Sequence, residues 1–523
     1  MNGGNPTSLQ SEFLIALNRF KRSAKLTTKE EDDFRMTSLE DLRDCIRTIQ
    51  RDQEQNKKLM YMKRLDPFLQ TMEQYGKVLD VFVNTSEVVA FIWGPMKFIL
   101  LVTRTFSDAL HCVLDAYQDI GEQIPLLEGY QNFFTSNGYM RTVLIQIYED
   151  ILEFHREAIK HFKQKLWKQL FQATWRGFTV KIQHIRDNLK RHRHLIESHA
   201  TIVEFAEIQR LRDVAKLELE AHMSDEIYRR QQRVAQWLSP FGVDDLQDQY
   251  REIRSICADA GRWLLDNSRF QNWINPNQCL QPLLWINGIP GAGKTILTSV
   301  VVDEVRAMTK SSCGFFYCKH GNPSRNTFIG VARSLLAQLL VQNSHLLQLL
   351  YEKASMCGEI ELTSKVTAKD LLRTSLNSCG VVYIILDGLD ECDREQRREI
   401  TAWFRSVIDE LPPKDIGTIR CLFVSQDDGV GRKEMDHIPS IKIMPSDNKG
   451  DIRAFANVWH KRMEDKFGTL QGNAHITNII LARAQGMFLF AKLLAEFLFS
   501  QPSKESLFHE LDPSILPVRL DDA

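Results

Sequence analysis

The sequence predicts an α/β domain built on a five-stranded parallel sheet, preceded by an all-α region and followed by a short helical one. Three observations carry this. Gly288-Ile-Pro-Gly-Ala-Gly-Lys-Thr295 matches G-x-x-x-x-G-K-[ST] between an apolar run, Leu283-Leu-Trp-Ile286, and a helical one, Ile296 to Val305. A second apolar run, Val381-Val-Tyr-Ile-Ile-Leu386, ends in Asp387-Gly-Leu-Asp-Glu391. Before Ser239 the chain has helical periodicity throughout, and beyond it strand-like and helix-like runs alternate.

The first elements are helical. Residues 1–70 read as a helical, partly flexible segment and 71–238 as an all-α domain. Val88 to Thr103 is the most apolar stretch, and the Gly94-Pro95 break with Lys97 predicts a pair of buried helices there rather than a membrane span. Trp167, Phe171, Trp175, Phe178, Ile182, Ile185 and Leu189 recur at three- and four-residue steps, which makes one apolar stripe of a helix. Bases fill its other face: Arg156, Lys160, Lys163, Lys165, Lys168, Arg176, Lys181, Arg186, Lys190, Arg191 and Arg193 stand against Glu157 and Asp187. Such a stripe is a solvated face or a surface for anionic lipid, with nucleic acid less favoured. His155, His161, His184, His192 and His194 would add charge near pH 6 if exposed. Residues 201–236 read as a long amphipathic connector, closed by the turn cluster Ser239-Pro-Phe-Gly242.

The α/β domain is assigned to 239–445. Its strands are Leu283 to Asn287, Cys313 to Cys318, Val381 to Leu386, Arg420 to Ser425 and Ile441 to Ile443, with helices such as Val331 to Leu340 and Gln396 to Ile408 between them. Alternating strands and helices imply a parallel sheet covered on both faces. Gly288, Gly291 and Gly293 let the backbone bend around phosphates, so that successive N–H groups and the following helix N-terminus face the anion. The nucleotide-binding set is therefore Gly288, Pro290, Gly291, Ala292, Gly293, Lys294, Thr295 and Ile296, with Lys294 reaching the β and γ phosphates. Thr295 and Asp387 are the Mg²⁺ residues, since that ion takes few protein oxygens and keeps its waters. Asp390 and Glu391 are the catalytic candidates, placed to accept a proton from attacking water. Residues 446–523 form a helical extension, with helices at Asp451 to Phe467 and Ile479 to Phe499 and breaks at Pro502, Pro513 and Pro517.

A chain of 523 residues with a formal net charge of −1 is long enough for several full cores. Its ten cysteines show no C-x-x-C pair and no His partner at zinc spacing, so they read as reduced thiols in a cytoplasmic protein. The N-terminus lacks a basic region leading into an apolar one.

Gly288 to Thr295 together with Asp387 to Glu391 resembles the NACHT family of signal-transducing NTPases, in its fungal, nephrocystin-like version. Gly261-Arg-Trp-Leu-Leu265, Phe270-Gln-Asn-Trp273, Cys313-Gly-Phe-Phe-Tyr-Cys318, Ser334-Leu-Leu-Ala-Gln-Leu339 and Gly486-Met-Phe-Leu-Phe-Ala491 match as well, so the resemblance covers about residues 250–495. It implies a P-loop NTPase of the ASCE/STAND type. Such a switch is closed with a nucleoside diphosphate, opens and oligomerises with a triphosphate, and is reset by slow hydrolysis. The implied strand order sets the fourth strand between the first and third, which brings Gln426 beside the γ-phosphate, and adenine would lie near Gly261, Trp263 and Leu264. Val78 to Ile208 resembles a fungal helical domain of unknown function found ahead of NACHT modules, through Phe91-Ile-Trp-Gly-Pro-Met-Lys-Phe98, Ile120-Gly121, Pro125, Ile147-Tyr-Glu-Asp-Ile151 and Asn188-Leu-Lys-Arg-His-Arg-His194. That place in the architecture implies an effector.

The chain departs from the family after Cys421-Leu-Phe-Val424, where Ser425-Gln426-Asp427-Asp428 replaces the usual Ser-Arg. Gln426 cannot supply a guanidinium, which lowers the expected turnover more than the binding. Arg432 and Lys433 are substitutes or, as is more common for loop charges, solvated. No guanine-recognition motif Asn-Lys-x-Asp occurs, so ATP/ADP is expected ahead of GTP. The expected partners are nucleotide, further copies of the chain on activation, and a sensor or effector protein in trans. The last expectation follows from the lack of a repeat array after 499, which also predicts easier oligomerisation than in longer relatives. The alternative is a nucleotide-stabilised scaffold, or a module for anionic membranes, with negligible turnover.

Overall fold

The computed structural model describes residues 6–55, 62–82, 86–164, 167–257, 259–276, 279–309, 311–470 and 473–511. It divides into two compact units, Met1–Tyr228 and Arg229–Ala523, and the division falls inside one helix, Ile202–Leu238.

The first unit is helical in its described residues. Its core is a single apolar cluster that draws on Phe13, Phe68, Phe91, Tyr117, Tyr148 and Phe154. Ser86–Thr103 is one continuous helix, not the expected pair. Gly94 is the reason the break does not occur there: the helix lies so close to Phe34 that a Cβ at position 94 would sit 2.5 Å from the Phe34 Cα. Glycine here serves close helix packing, and Pro95 loses a single main-chain bond inside a helix already held on its flanks. Among the described residues it is the one helix long and apolar enough to cross a bilayer, yet 61% of its 18-residue apolar window is buried in the unit's own core.

The aromatic stripe lies on Trp167–Glu197 as the spacing predicts, with Trp167, Phe171, Phe178, Ile182, Ile185 and Leu189 buried and Trp175 partly so. The basic face is largely paired. Glu157 gathers Arg156, Lys160 and Lys181, while Lys163 reaches Glu30 at 2.7 Å, Arg186 reaches Asp119 at 2.8 Å and Arg193 reaches Glu197 at 2.8 Å. Lys165 and the side chain of Arg176 lie outside the described residues. His155, His161 and His192 do not supply charge near pH 6. All three are buried, and desolvation pushes His155 down to about 3, His161 down to about 4 and His192 well below the ordinary imidazole value.

The second unit carries a sheet of β1 (Leu283–Gly288), β2 (Ser311–Tyr317), β3 (Val381–Asp387), β4 (Ile419–Gln426) and β5 (Ser440–Lys442), ordered β2-β3-β4-β1-β5 and parallel throughout. This is the expected order, with β4 between β1 and β3. The chain therefore reverses its winding at β1, and the carboxyl ends of β1, β3 and β4 meet at one edge, where open parallel sheets place their ligands. Phe328–Gln342 and Arg394–Asp409 are helices, each longer at both ends than the sequence pattern indicates. C-terminal to the sheet, Pro445–Phe467, Asn473–Ala484 and Phe488–Ser500 build a second apolar core. The helix expected over Ile479 to Phe499 is two helices. Gln485 (φ 45) and Gly486 (φ 88) adopt left-handed backbone between them, where Gly486 passes Pro445 so closely that a Cβ would lie 2.7 Å from the proline Cα.

Candidate functional site

Strand β1 ends at Gly288, and the loop to Gly293 turns into the helix Lys294–Ala307. Gly291 (φ 72) and Gly293 (φ 86) are both left-handed, so two residues of the turn have conformations that a Cβ would strain by roughly 1–2 kcal/mol each. Gly293 is the N-cap of the helix. The first-turn N–H groups of that helix have no carbonyl one turn behind them, which makes the turn a concave donor surface suited to an anion.

Lys294 folds its ammonium back over this turn, donating to Gly288 O at 3.1 Å and Ile289 O at 3.0 Å. Burial pushes its pKa down, and the charges of Asp390, Asp387 and Glu391 oppose that. Three carboxylates from one short segment thus converge electrostatically on the lysine. Asp387, the last residue of β3, is 4% exposed. Burial raises its carboxyl to about 6, while hydrogen bonds from Thr295 and Thr298 and the nearby Lys294 pull the other way. The Thr298 hydroxyl lies 3.2 Å from Asp387 Oδ1. Thr298 was missing from the sequence-based set, although its place one turn after Thr295 on the same helix face is a readable signal.

After Asp387 the chain turns at Gly388 (φ 71) into a single 3-10 turn, Leu389–Glu391. A Cβ at 388 would meet Cys318 O at 3.2 Å, so glycine allows the turn to pass the end of β2. Asp390 Oδ1 accepts from Gln426 N at 2.9 Å, and Glu391 Oε2 accepts from His320 N at 3.1 Å. Each carboxylate is oriented by one backbone donor. Gln426 closes β4 in register with Gly288 on β1, so the residue in place of the expected arginine stands at the mouth of the turn. Arg432 does not fill the gap: it is held by Asp427 through two bonds, Nε at 2.6 Å and Nη2 at 2.8 Å, and Lys442 reaches the same carboxylate at 2.8 Å. Lys433 is exposed on the short helix Gly429–Glu434.

Two further contacts join the turn to the C-terminal helices. Asn448 is 2% exposed and its Nδ2 donates to Ala292 O at 2.8 Å and to Gly486 O at 3.1 Å. Leu489 N donates to Gly291 O at 3.1 Å. The loop leading into β1 is fixed nearby, with Gly261 N donating to Asp451 Oδ2 at 2.9 Å and the Gly261 backbone pressed on Leu297. Leu264 is buried and Trp263 half-buried beside it. Pro290 is exposed at the crest of the turn, Ala292 is buried under it, and Ile296 is half-buried in the first helical turn.

The residues present fit a nucleotide phosphate with Mg²⁺. The turn offers donors, Lys294 a cation at its rim, and Thr295 with Asp387 an adjacent hydroxyl and carboxylate at which a hard ion could replace the hydrogen bond between them.

Comparison with known proteins agrees with this geometry. Residues 259–426 match the family model described as nephrocystin 3, N-terminal, and residues 63–208 match a domain of unknown function, DUF7708. The vegetative incompatibility protein HET-E-1 of Podospora anserina is 31% identical over 143 residues, which is 26% of this chain and 10% of that protein. The chain thus spans only a small part of that relative's length. With the glycine turn, the acidic end of β3 and the β2-β3-β4-β1-β5 sheet in the matched region, and the helical domain ahead of it, the chain is similar to fungal NACHT-like, STAND-type P-loop proteins.

Proposed function

We propose that this chain is a cytoplasmic nucleotide-operated switch that binds ATP or ADP with Mg²⁺, hydrolyses ATP slowly, and couples nucleotide state to self-assembly and to release of its N-terminal helical domain. The observation that carries the reading is the convergence of Lys294, Asp387, Asp390 and Glu391 on one glycine turn at the switch point of the sheet. In this reading Lys294 neutralises the β and γ phosphates, while Thr295 and Asp387 hold the ion that screens the same charge. Asp390 and Glu391 position a water by its protons, each through the carboxylate oxygen not held by a backbone N–H. Gln426 contacts the γ-phosphate with an uncharged amide, and with Arg432 committed to Asp427 the turnover is slow.

The test is to denature the purified protein and identify released nucleotide by chromatography, beside Lys294→Ala. Near-stoichiometric ADP in the wild type and none in the variant supports the switch. No nucleotide in either, with no uptake of added ATP or GTP and Mg²⁺, overturns it. A second reading, a nucleotide-stabilised scaffold with negligible turnover, is favoured by Gln426 and the locked Arg432. Steady-state phosphate release separates the two: loss of signal in Glu391→Gln supports the enzyme, and the same background in both proteins supports the scaffold. The lipid-binding version draws less support, because much of the basic face is engaged by Glu157, Glu30, Asp119 and Glu197.

A further inference from the structure

The helix Ile202–Leu238 crosses the division between the two units, and its first part belongs to the helical one. From Ile202 to Arg233 it buries none of its own residues; its buried positions are Val234, Trp237 and Leu238. An ordinary packed helix of this length would bury an apolar stripe. Phe205 and Ile208 are partly covered by the core, and Gln209 exchanges two amide bonds with Gln146 at 2.6 and 3.0 Å. A cavity of about 670 Å³ lies beneath the segment, between it and the helices Pro6–Ser23, Gly138–Phe162 and Trp167–Glu197. The segment therefore stands off the bundle instead of packing into it.

Its deepest contact is polar. Arg212 Nη2 donates to Asp150 Oδ1 at 2.7 Å, and Nη1 lies 2.8 Å from His192 Nε2. A guanidinium has only donors, so Nε2 is the acceptor and the ring proton sits on Nδ1, which lies 3.5 Å from Asp150 Oδ2. Asn188 Nδ2 approaches Asp150 Oδ1 at 3.5 Å. Asp150 and His192 are buried, whereas the Arg212 side chain is 16% exposed and inserts from outside.

We infer that Arg212, seated on the buried Asp150–His192 pair, is a detachable latch that holds residues 202–228 against the helical domain, and that withdrawing this one side chain frees the segment. Water can refill the cavity and solvate the arginine when it leaves, which a dry apolar seam would not permit. Seating the guanidinium also favours the closed state, because it opposes the burial that raises the Asp150 carboxyl to about 7, and its withdrawal removes that stabilisation of the buried carboxylate. The latch stands on its own contacts, and its use as a release point rests on the switch reading above.

Hydrogen exchange read by mass spectrometry on the full chain tests it, with Arg212→Ala on one side of the contact and Asp150→Asn on the other. Either variant should speed exchange of amides in 202–228 by about ten-fold or more, while 138–162 and the strands keep wild-type rates. If Arg212→Ala does not fold, as shown by a lost melting transition, Asp150→Asn carries the test alone. Wild-type exchange in 202–228 in a folded variant overturns the latch, and so does a rise spread evenly over the whole helical domain. Adding Lys294→Ala separates the two ideas: faster exchange that persists without nucleotide keeps the latch even where the switch reading fails.

Discussion

Asn448→Ala tests whether the glycine turn after β1 depends on helices far along the chain. The side chain is buried and gives its two amide protons to Ala292 O and Gly486 O, across 156 and 38 residues of sequence. Alanine removes two hydrogen bonds of about 1 kcal/mol each and strands two carbonyls, which cost roughly 1–3 kcal/mol apiece before relaxation. Allowing for water entering the gap, a loss of about 2–4 kcal/mol is expected. For a unit of this size that is a fall in melting midpoint on the order of 10 °C. Asn448→Asp should be worse, because it sets a carboxylate against two carbonyl oxygens. Calorimetry with and without ADP measures both effects, and release of a fluorescent ADP analogue should accelerate as the turn loosens. Wild-type melting together with wild-type release in Asn448→Ala would refute the claim that this amide staples the turn to the C-terminal helices.

Two further outcomes concern pH. Asp387 has a folded-state carboxyl raised from 3.8 to about 6, so the folded protein binds more protons than the unfolded chain between those values. Its contribution is present at low pH and is lost as pH rises through about 6, by no more than about 3 kcal/mol. Nucleotide-free Asp387→Asn should accordingly melt higher than wild type at pH 8, with the gap closing towards pH 4, and equal midpoints at pH 8 would count against the burial argument. His155 has the opposite sign: desolvation lowers it from 6.5 to about 3, so stability is lost as pH falls below 6.5, by about 2 kcal/mol at pH 5. Neither ring nitrogen has a partner, so His155→Leu should melt higher at pH 5 and flatten the midpoint between pH 7 and 5. A steeper acid loss in the variant would sink that account.

The strands were legible because each is a short, largely apolar run, and their bounds moved by only a residue or two: Arg420 to Ser425 became Ile419–Gln426. The turn was legible for a different reason, as its chemistry lies within eight consecutive residues. What the sequence hid was set by distant partners. Nothing near Gly94-Pro95 says that Phe34 will press on it, so a helix break was expected where close packing occurs. Nothing near Asn448 points to Ala292, and the carboxylates Glu157 and Glu30, met by bases from this face, neutralise part of its charge. The break at Gly486 was in principle readable from glycine alone, but the apolar run on both sides outweighed it.

The ammonium of Lys294 already bonds two carbonyls of its own turn. On the proposed reading, loading a nucleotide is then an exchange reaction, in which the lysine would give up Gly288 O and Ile289 O for phosphate oxygens. Deleting the side chain reports only the difference between the two sets of bonds, so affinity lost in Lys294→Ala understates the strength of the lysine–phosphate contact. The two released acceptors must then be hydrated, which makes part of the binding enthalpy a property of water and not of the ligand.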